Sequence, residues 1–246
     1  MGLRTDMNYI MMFVRIFSKK EYAEEFIEHG KFRLNTLGYF KNYEDKHEGN
    51  IGDTNEGLVF NFTKNHDVIL QIKYGEIEEI IDFESVSAHN DYVLNKKIFC
   101  LYAPSVKSEE QFTLEEIQNI VSLDENTNNL GKFLVIITNP QEFMERIKKV
   151  VIENGYAIRT GLVEYWDFND PVSIPHDKIG FVKSINYAHQ KEFRLMIDDG
   201  KNQNSALDLE IGSLKDITIM IPTDKFNESI KVQLRVDNDE EDNFKS

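Results

Sequence analysis

The stretch KSINYAHQKEFRLMID, residues 183–198, joins a polar cluster to the pattern of a buried strand. Phe193, Leu195 and Ile197 recur with the two-residue period of a strand that packs one face on a core. The polar cluster beside them comprises Tyr187, His189, Gln190, Lys191, Glu192 and Arg194. Charged side chains are rarely buried without a partner, so this position at the head of a core strand predicts either a site or an ion pair.

A second unusual stretch, YFKNYEDKHEGNIGDTNEG at residues 39–57, mixes acidic residues with glycine, asparagine and threonine. This composition predicts a long, turn-rich loop, and loops of this length in compact domains are often functional. Tyr39, Phe40 and Tyr43 would anchor its start on an apolar surface. Its acidic residues are Glu44, Asp45, Glu48, Asp53 and Glu56. The loop is either a solvated connection or the wall of a site opposite residues 183–198.

The remaining patterns indicate many strands and few helices. Extended segments are predicted at 9–17, 31–37, 58–62, 68–74, 76–83, 96–103, 132–138, 161–167, 206–211, 217–221 and 231–236, with 58–62 and 68–74 paired through a turn at 65–67. Helices are predicted after a Ser18 cap as far as Gly30, over 108–123, and from Pro140 to Gly155.

These elements predict an α+β chain with residues 1–236 in a single domain. A central mixed or antiparallel sheet would be flanked by about three helices. Residues 237–246, DNDEEDNFKS, are expected to form an acidic, flexible tail.

The composition restricts the classes of partner. The chain has 28 basic and 43 acidic residues, a net charge of −15, so broad attraction to nucleic acid or anionic lipid is not expected. Cys100 is the only cysteine, which favours a reducing compartment, and the apolar start is too short to span a membrane. A cytoplasmic protein is therefore expected. The six scattered histidines provide no metal-binding pair.

Arg15 interrupts the apolar run YIMMFVRIF at residues 9–17. Two interpretations are open. The guanidinium extends into solvent from a strand edge or end, as most charged groups do, or it leans into a cleft and holds an anion.

The sequence Gln190-Lys191-Glu192 followed by FRLMI resembles the Gln/Glu-x-Glu element of ADP-ribosyltransferases, which ends a loop and enters a core strand. The resemblance implies an ADP-ribosyltransferase-like fold and NAD as the bound dinucleotide. Glu192 would stabilise positive charge on the ribose as nicotinamide leaves, Gln190 would position the acceptor, and Arg15 would hold the dinucleotide. The family's Ser-Thr-Ser element has a loose counterpart in residues 85–87, SVS.

Three segments, EYAEEFIEHGKFRLNTLGYFKNYED, GDTNEG and YAHQKEFRL, resemble a widespread group of bacterial and phage proteins. This resemblance extends over most of residues 10–198. It implies that the acidic loop and the segment 190–194 belong to one site, in a protein of defence or counter-defence between phage and host. The partner would be a small nucleotide ligand or a host or phage protein. The predicted ligand-binding residues are Tyr39, Asp53, Glu56, Tyr187, Lys191 and Arg194.

Two further functions fit the same residues. A metal-dependent nuclease would use Asp53, Glu56 and Glu192 as ligands of a divalent metal, with Lys183 or Lys191 beside the scissile phosphate. A non-catalytic binding module, such as an inhibitor or a sponge, would instead pair Glu192 and Arg194 with each other and with loop residues. Alternate residues of a strand share one face, so this pair is easy to form.

Overall fold

The computed structural model describes residues 2–5, 8–43, 51–63 and 68–233. Its strands are β1 Leu3–Arg4, β2 Asn8–Ile10, β3 Phe13–Phe17, β4 Lys31–Thr36, β5 Leu58–Thr63, β6 Leu70–Tyr74, β7 Ile77–Ile81, β8 Ser85–His89, β9 Lys97–Tyr102, β10 Ser105–Lys107, β11 Phe133–Ile137, β12 Ala157–Leu162, β13 Glu164–Trp166, β14 Val172–Ser173, β15 Val182–Ser184, β16 Glu192–Asp198, β17 Leu207–Glu210 and β18 Thr218–Pro222. The helices are α1 Lys20–His29, α2 Leu37–Lys41, α3 Asp91–Leu94, α4 Leu114–Val121, α5 Pro140–Glu153 and α6 Phe226–Ser229. Short 3₁₀ turns occupy Glu125–Leu130, His176–Lys178, Ile185–Gln190 and Thr223–Lys225.

A central antiparallel sheet organises the fold. Within the described residues it has eight strands, in the order β12-β16-β9-β3-β11-β18, with β4 also pairing with β9 and β17 with β4. The same residues also form two three-stranded sheets, β1-β2-β10 and β14-β5-β8, and two strand pairs, β6-β7 and β13-β15. The predicted α+β class with a central sheet is confirmed, and the single domain is consistent with it.

Strand β16 carries apolar side chains on one face of the sheet and charged side chains on the other. Phe193, Leu195 and Ile197 enter the main core together with residues of α1 and α5. The Phe193 ring lies 4.8 Å from the ring of Phe13 on β3, centroid to centroid. Glu192 and Arg194 face the other side, because neighbouring strand residues point in opposite directions.

Two smaller apolar clusters cover that other side. One cluster includes Leu37 and Ile98, and the second includes Val14, Tyr102 and Leu123. Helix α4 contributes to the second cluster. Polar groups of β16 therefore lie between two apolar regions instead of in open solvent.

Helix α5 begins as the sequence predicts. The Asn139 side chain accepts a hydrogen bond from the backbone N–H of Glu142 at 3.2 Å, and Pro140 occupies the first turn, where its missing N–H costs nothing. Gly155 follows the helix with a φ of 70°. None of the described helices is both long and apolar enough to cross a membrane.

Several strand predictions were wrong in detail. Residues 9–17 form two strands, β2 and β3, which pair in different sheets. Residues 58–62 and 68–74 contain strands, but β5 pairs with β8 and β14 whereas β6 pairs with β7. A two-residue turn at Gly75 closes β6 onto its immediate neighbour, and this local pairing replaces the predicted one. Residues 161–167 are likewise divided between β12 and β13.

Helices α1 and α4 begin differently from the predictions. Lys19 precedes α1 without a side-chain cap, so Ser18 is not its cap. Helix α4 begins six residues after Ser108, because Thr113 and Glu116 form a reciprocal capping box at Leu114. Tyr39 belongs to α2, so the predicted loop begins later than residue 39.

The C-terminal predictions fall partly outside the described residues. Residues 231–233 do not form the predicted edge strand, whereas 234–236 and the acidic tail 237–246 lie outside the described part of the chain. The same is true of Glu44, Asp45 and Glu48 in the acidic loop.

Replacing Phe193 by alanine should lower the free energy of unfolding by about 3–5 kcal/mol, because the substitution leaves a cavity in the main core. Urea unfolding followed by far-ultraviolet circular dichroism measures this loss. Tyr74→Ala, at a ring that is 81% exposed, is the matched control and should change stability by less than about 0.5 kcal/mol. Equal losses in the two variants would contradict the assignment of Phe193 to the core.

Candidate functional site

A cavity of about 200 Å³ opens on the sheet face that carries Glu192 and Arg194. Strand β3 pairs with β9 at Tyr102, and β4 pairs with β9 at Ile98 and Lys97. The two strands therefore part along β9, and the cavity reaches into the gap between them. Its charged lining, among the described residues, consists of Arg15, Arg33, Glu56, Lys183, Glu192 and Arg194.

Arg194 is the centre of a buried ion cluster in the cavity wall. Its guanidinium makes two bonds to Glu56, with Nη1–Oε2 at 2.8 Å and Nη2–Oε1 at 2.7 Å. Its Nε donates to Oε1 of Glu192 at 2.7 Å, and Nη1 also donates to the carbonyl of Gly180 at 2.6 Å. Gly180 has a φ of 82° and a Cβ there would collide with Met196, so this approach requires glycine.

Lys183 is the second cation of the cluster. Its Nζ donates to Oε2 of Glu192 at 3.0 Å and to Oε1 of Gln190 at 2.9 Å. Oε1 of Glu56 lies 3.9 Å from the same Nζ. Lys183 is 3% exposed and Arg194 is fully buried, so both charges depend on these partners. The result is an alternating arrangement of two cations and two carboxylates.

The two carboxylates differ in proton affinity. Burial alone would raise the pKa of Glu192, but Arg194 and Lys183 outweigh it and hold that pKa below its ordinary value. Burial raises the pKa of Glu56 above its ordinary value. Arg194 lowers this pKa, and Lys183 lowers it less because its Nζ is 3.9 Å away, so the effect of burial prevails. Glu56 should therefore take up a proton before Glu192 as the pH falls.

The Cys100 thiol also contacts Glu192. Burial, reinforced by the neighbouring negative charge, raises the pKa of Cys100 to about 12. At neutral pH the thiol thus keeps its proton and donates a hydrogen bond to the Glu192 carboxylate. A thiolate nucleophile is not formed under these conditions. The cysteine therefore acts as a small, partly buried side chain.

Arg15 lies in the gap between β3 and β4. Its Nη1 donates to the carbonyl of Cys100 at 2.7 Å, and its guanidinium carbon lies 4.6 Å from the centroid of the Phe99 ring. Its Nε is shut off from solvent and has no hydrogen-bond partner among the described residues. Burial lowers the pKa of Arg15, but an arginine remains protonated in proteins. The cavity thus holds a cation whose hydrogen-bonding capacity is not filled within the described residues.

The acidic loop is attached to the stretch 183–194 at several points. Oδ2 of Asp53, a residue only 2% exposed, accepts a hydrogen bond from the Ser184 backbone N–H at 3.2 Å. The Tyr187 hydroxyl donates to the carbonyl of Gly52 at 2.7 Å. Together with the bonds between Glu56 and Arg194, these contacts fix residues 52–56 against the head of β16. The structure thus brings the two predicted walls together.

The predicted site residues fall into three groups. The residues that line the cavity are Arg15, Glu56, Gln190, Glu192 and Arg194. Asp53 and Tyr187 support its wall, Asp53 through the Ser184 backbone N–H and Tyr187 through the Gly52 carbonyl. Tyr39 and Lys191 do not belong to the cavity lining.

The two outlying residues have structural explanations. Tyr39 is 42% exposed on α2 and packs its ring against Phe40 and Tyr43. Lys191 has a φ of 40°, and its Nζ donates to the Ile120 carbonyl near the end of α4 at 2.8 Å. Lys191 therefore contacts the end of α4 and not the cavity, although its neighbours Gln190 and Glu192 both line the cavity.

Sequence reasoning missed Arg33 and Asn35 of β4, which also line the cavity. The pattern KFRLNT carried a signal, because Phe32 and Leu34 face the core and the residues between them must face the other side. Arg33 pairs with Asp208 at 3.2 Å on the exposed edge of the cavity.

The carboxylates that were predicted as metal ligands are committed to other donors. Glu56 and Glu192 accept bonds from Arg194, and Asp53 accepts from the backbone of Ser184 and Asn55. No cluster of three or more metal-binding side chains occurs in the part of the chain that the structure describes. The geometry favours a paired ionic wall over a set of carboxylates that converge on a cation.

Replacing Arg194 by methionine should lower the free energy of unfolding by about 3–5 kcal/mol, because it leaves Glu56 and Glu192 buried without their shared cation. Denaturant unfolding of the variant measures the loss. Arg33→Met breaks an exposed pair on the same sheet face and should cost about 1 kcal/mol or less. An Arg194 variant as stable as the Arg33 variant would show that the cluster does not support the fold.

The chain matches no protein family, no curated protein and no solved structure with which it was compared. Inference about its function therefore starts from the cavity and its charged wall.

Proposed function

We propose that the protein is a non-catalytic binding module that holds a small anionic ligand of the nucleotide type in the cavity between β3, β4 and β9. One observation carries this proposal: Arg15 lines the cavity, and its buried Nε has no partner among the described residues. A buried donor without a partner costs about 1–3 kcal/mol, and an anionic oxygen at this position would remove that cost.

The charge balance supports an anion. Among the described residues the lining has four basic side chains and two carboxylates, an excess of two positive charges, although the whole chain carries −15. The excess is local. Arg194 and Lys183 are matched by the two glutamates, and Arg33 is paired with Asp208. Arg15 is left as the cation that is available to a ligand.

The apolar lining supports a ligand with a flat, weakly polar part. Phe40, Phe99, Leu101 and Tyr102 contribute to it. Pockets for drug-sized ligands have volumes of about 300–1,000 Å³, whereas this cavity measures about 200 Å³. A mononucleotide or the phosphate end of a larger nucleotide therefore suits it better than a complete dinucleotide.

The arrangement of Glu192 favours binding over chemistry. Its two oxygens accept bonds from Arg194 and Lys183, and the side chain is 4% exposed. Both oxygens are thus held by cations of the protein itself. A role in conflict between bacteria and phages remains a prediction from the sequence resemblance, and sequestration of a nucleotide would suit such a role.

ADP-ribosyltransferase-like chemistry on NAD is the second candidate. The observation in its favour is that Arg15, Gln190 and Glu192, the residues that the sequence resemblance singled out, line the same cavity. The low pKa of Glu192 keeps its carboxylate ionised, as charge stabilisation on a ribose would require.

Isothermal titration calorimetry with phosphate, AMP and ADP-ribose tests the binding proposal. At least one of these compounds should bind, and Arg15→Gln should weaken that binding tenfold or more, which corresponds to about 1.4 kcal/mol. Arg159→Gln removes an exposed arginine outside the cavity and should bind like the wild type. Unchanged affinity in the Arg15 variant, or no binding of any of the three at millimolar concentration, would refute the proposal.

Release of nicotinamide from NAD separates the two candidates. A binding module should release none above the rate of a blank without protein, by liquid chromatography of the reaction mixture. Release by the wild type that Glu192→Gln abolishes, in a variant that retains ligand affinity by calorimetry, would establish the transferase chemistry instead.

A further inference from the structure

Strands β6 and β7 form an isolated hairpin at the surface. They pair in antiparallel register from Leu70–Ile81 to Tyr74–Ile77, and a two-residue turn at Gly75 and Glu76 closes them. Among the described residues no other strand pairs with either of them. The hairpin is separate from the cavity, since none of its residues lines that cavity.

One face of this hairpin is apolar. In an antiparallel pair, residues opposite each other share a face, so Ile72, Tyr74, Ile77 and Ile81 lie together with Glu79. Ile72 is 50% exposed, Tyr74 81% and Ile77 57%. The opposite face carries Gln71, Lys73 and Glu78, together with Ile80.

An exposed apolar face of this kind needs an explanation. A lone two-stranded hairpin is at best marginally stable in water, and contiguous exposed apolar surface on a soluble protein commonly marks an interaction site. Here β-branched and aromatic residues face solvent together, at the alternate positions of both strands. The strand pattern therefore matches a surface that is covered by a partner.

The acidic residues around this face indicate that the partner surface is basic. The segment 68–84 contains Glu76, Glu78, Glu79, Asp82 and Glu84 against a single basic residue, Lys73. Lys73 already lies 3.7 Å from Glu78. A second copy of the chain would bring like charges together, whereas a surface bordered by lysine or arginine would meet them with opposite charge.

We propose that the hairpin face of Ile72, Tyr74, Ile77 and Ile81 docks on a partner protein with an apolar strip flanked by basic side chains. The apolar residues would bury their surface against the apolar strip of the partner. Glu79, which lies on the same face, would pair with a basic side chain beside that strip. This interaction is independent of the ligand proposed for the cavity.

Two synthetic peptides test this proposal. Both carry the same isoleucine and leucine strip, flanked by lysines in one and by glutamates in the other, and fluorescence anisotropy measures their binding to the full chain. The wild type should bind the lysine peptide at least tenfold more tightly than the glutamate peptide, and less tightly as salt increases. The double variant Ile72→Ser and Ile77→Ser should lose this binding tenfold or more.

Two matched variants separate docking from general attraction to an acidic protein. Ile152→Ser changes an isoleucine that is 72% exposed on α5 and should bind the lysine peptide like the wild type. Glu79→Lys retains the apolar residues and should reduce the preference for the lysine peptide. Equal binding by the wild type and the double variant, or no binding of the lysine peptide, would overturn the proposal. So would a dimer in sedimentation velocity that the double variant dissociates, because the occupant would then be a second copy.

Discussion

The bidentate pair between Arg194 and Glu56 is the interaction on which the site depends. It joins a loop residue to strand β16 of the central sheet across 138 positions of the chain. Burying ions is costly, so this pair is stable only because Glu192, Lys183 and the Gly180 carbonyl satisfy the remaining charges and donors. The loop wall, the head of β16 and the cavity between them therefore form one unit.

A second constraint is the divergence of β3 and β4 along β9. Where a neighbouring strand would have offered a backbone N–H to the Cys100 carbonyl, the Arg15 side chain donates instead. This side-chain hydrogen bond brings the Arg15 guanidinium into the interior of the sheet, where its Nε has no hydrogen-bond partner among the described residues. The ionic wall is internally matched, whereas Arg15 is not. That difference is the reason why we propose an anion as the ligand of the cavity.

Local sequence patterns were sufficient to predict those elements that depend mainly on residues close together in the chain. The alternation of Phe193, Leu195 and Ile197 predicted a core strand, and Asn139 with Pro140 predicted the start of α5. The two walls of the site were also predicted, one from the polar cluster at the head of β16 and the other from the length and the acidic, turn-rich composition of residues 39–57. The pairing of β5 with β8 was not predictable, since several apolar runs compete for each strand and only the completed sheet selects among them.

Lys191 lies outside the cavity for a different reason. Adjacent residues of an extended chain point in opposite directions, and the Lys191 side chain reaches the Ile120 carbonyl whereas Gln190 and Glu192 line the cavity. Arg33 follows from the alternation of Phe32 and Leu34, because the residue between two core-facing residues of a strand faces the other side.

The most direct test of the account is to locate an anion in the cavity. Crystals of the protein soaked in selenate should give an anomalous difference peak within hydrogen-bonding distance of the Arg15 Nε, and crystals of the Arg15→Gln variant should lack that peak. Selenate peaks confined to the protein surface, with none beside Arg15, would contradict the central claim that this cavity is an anion site.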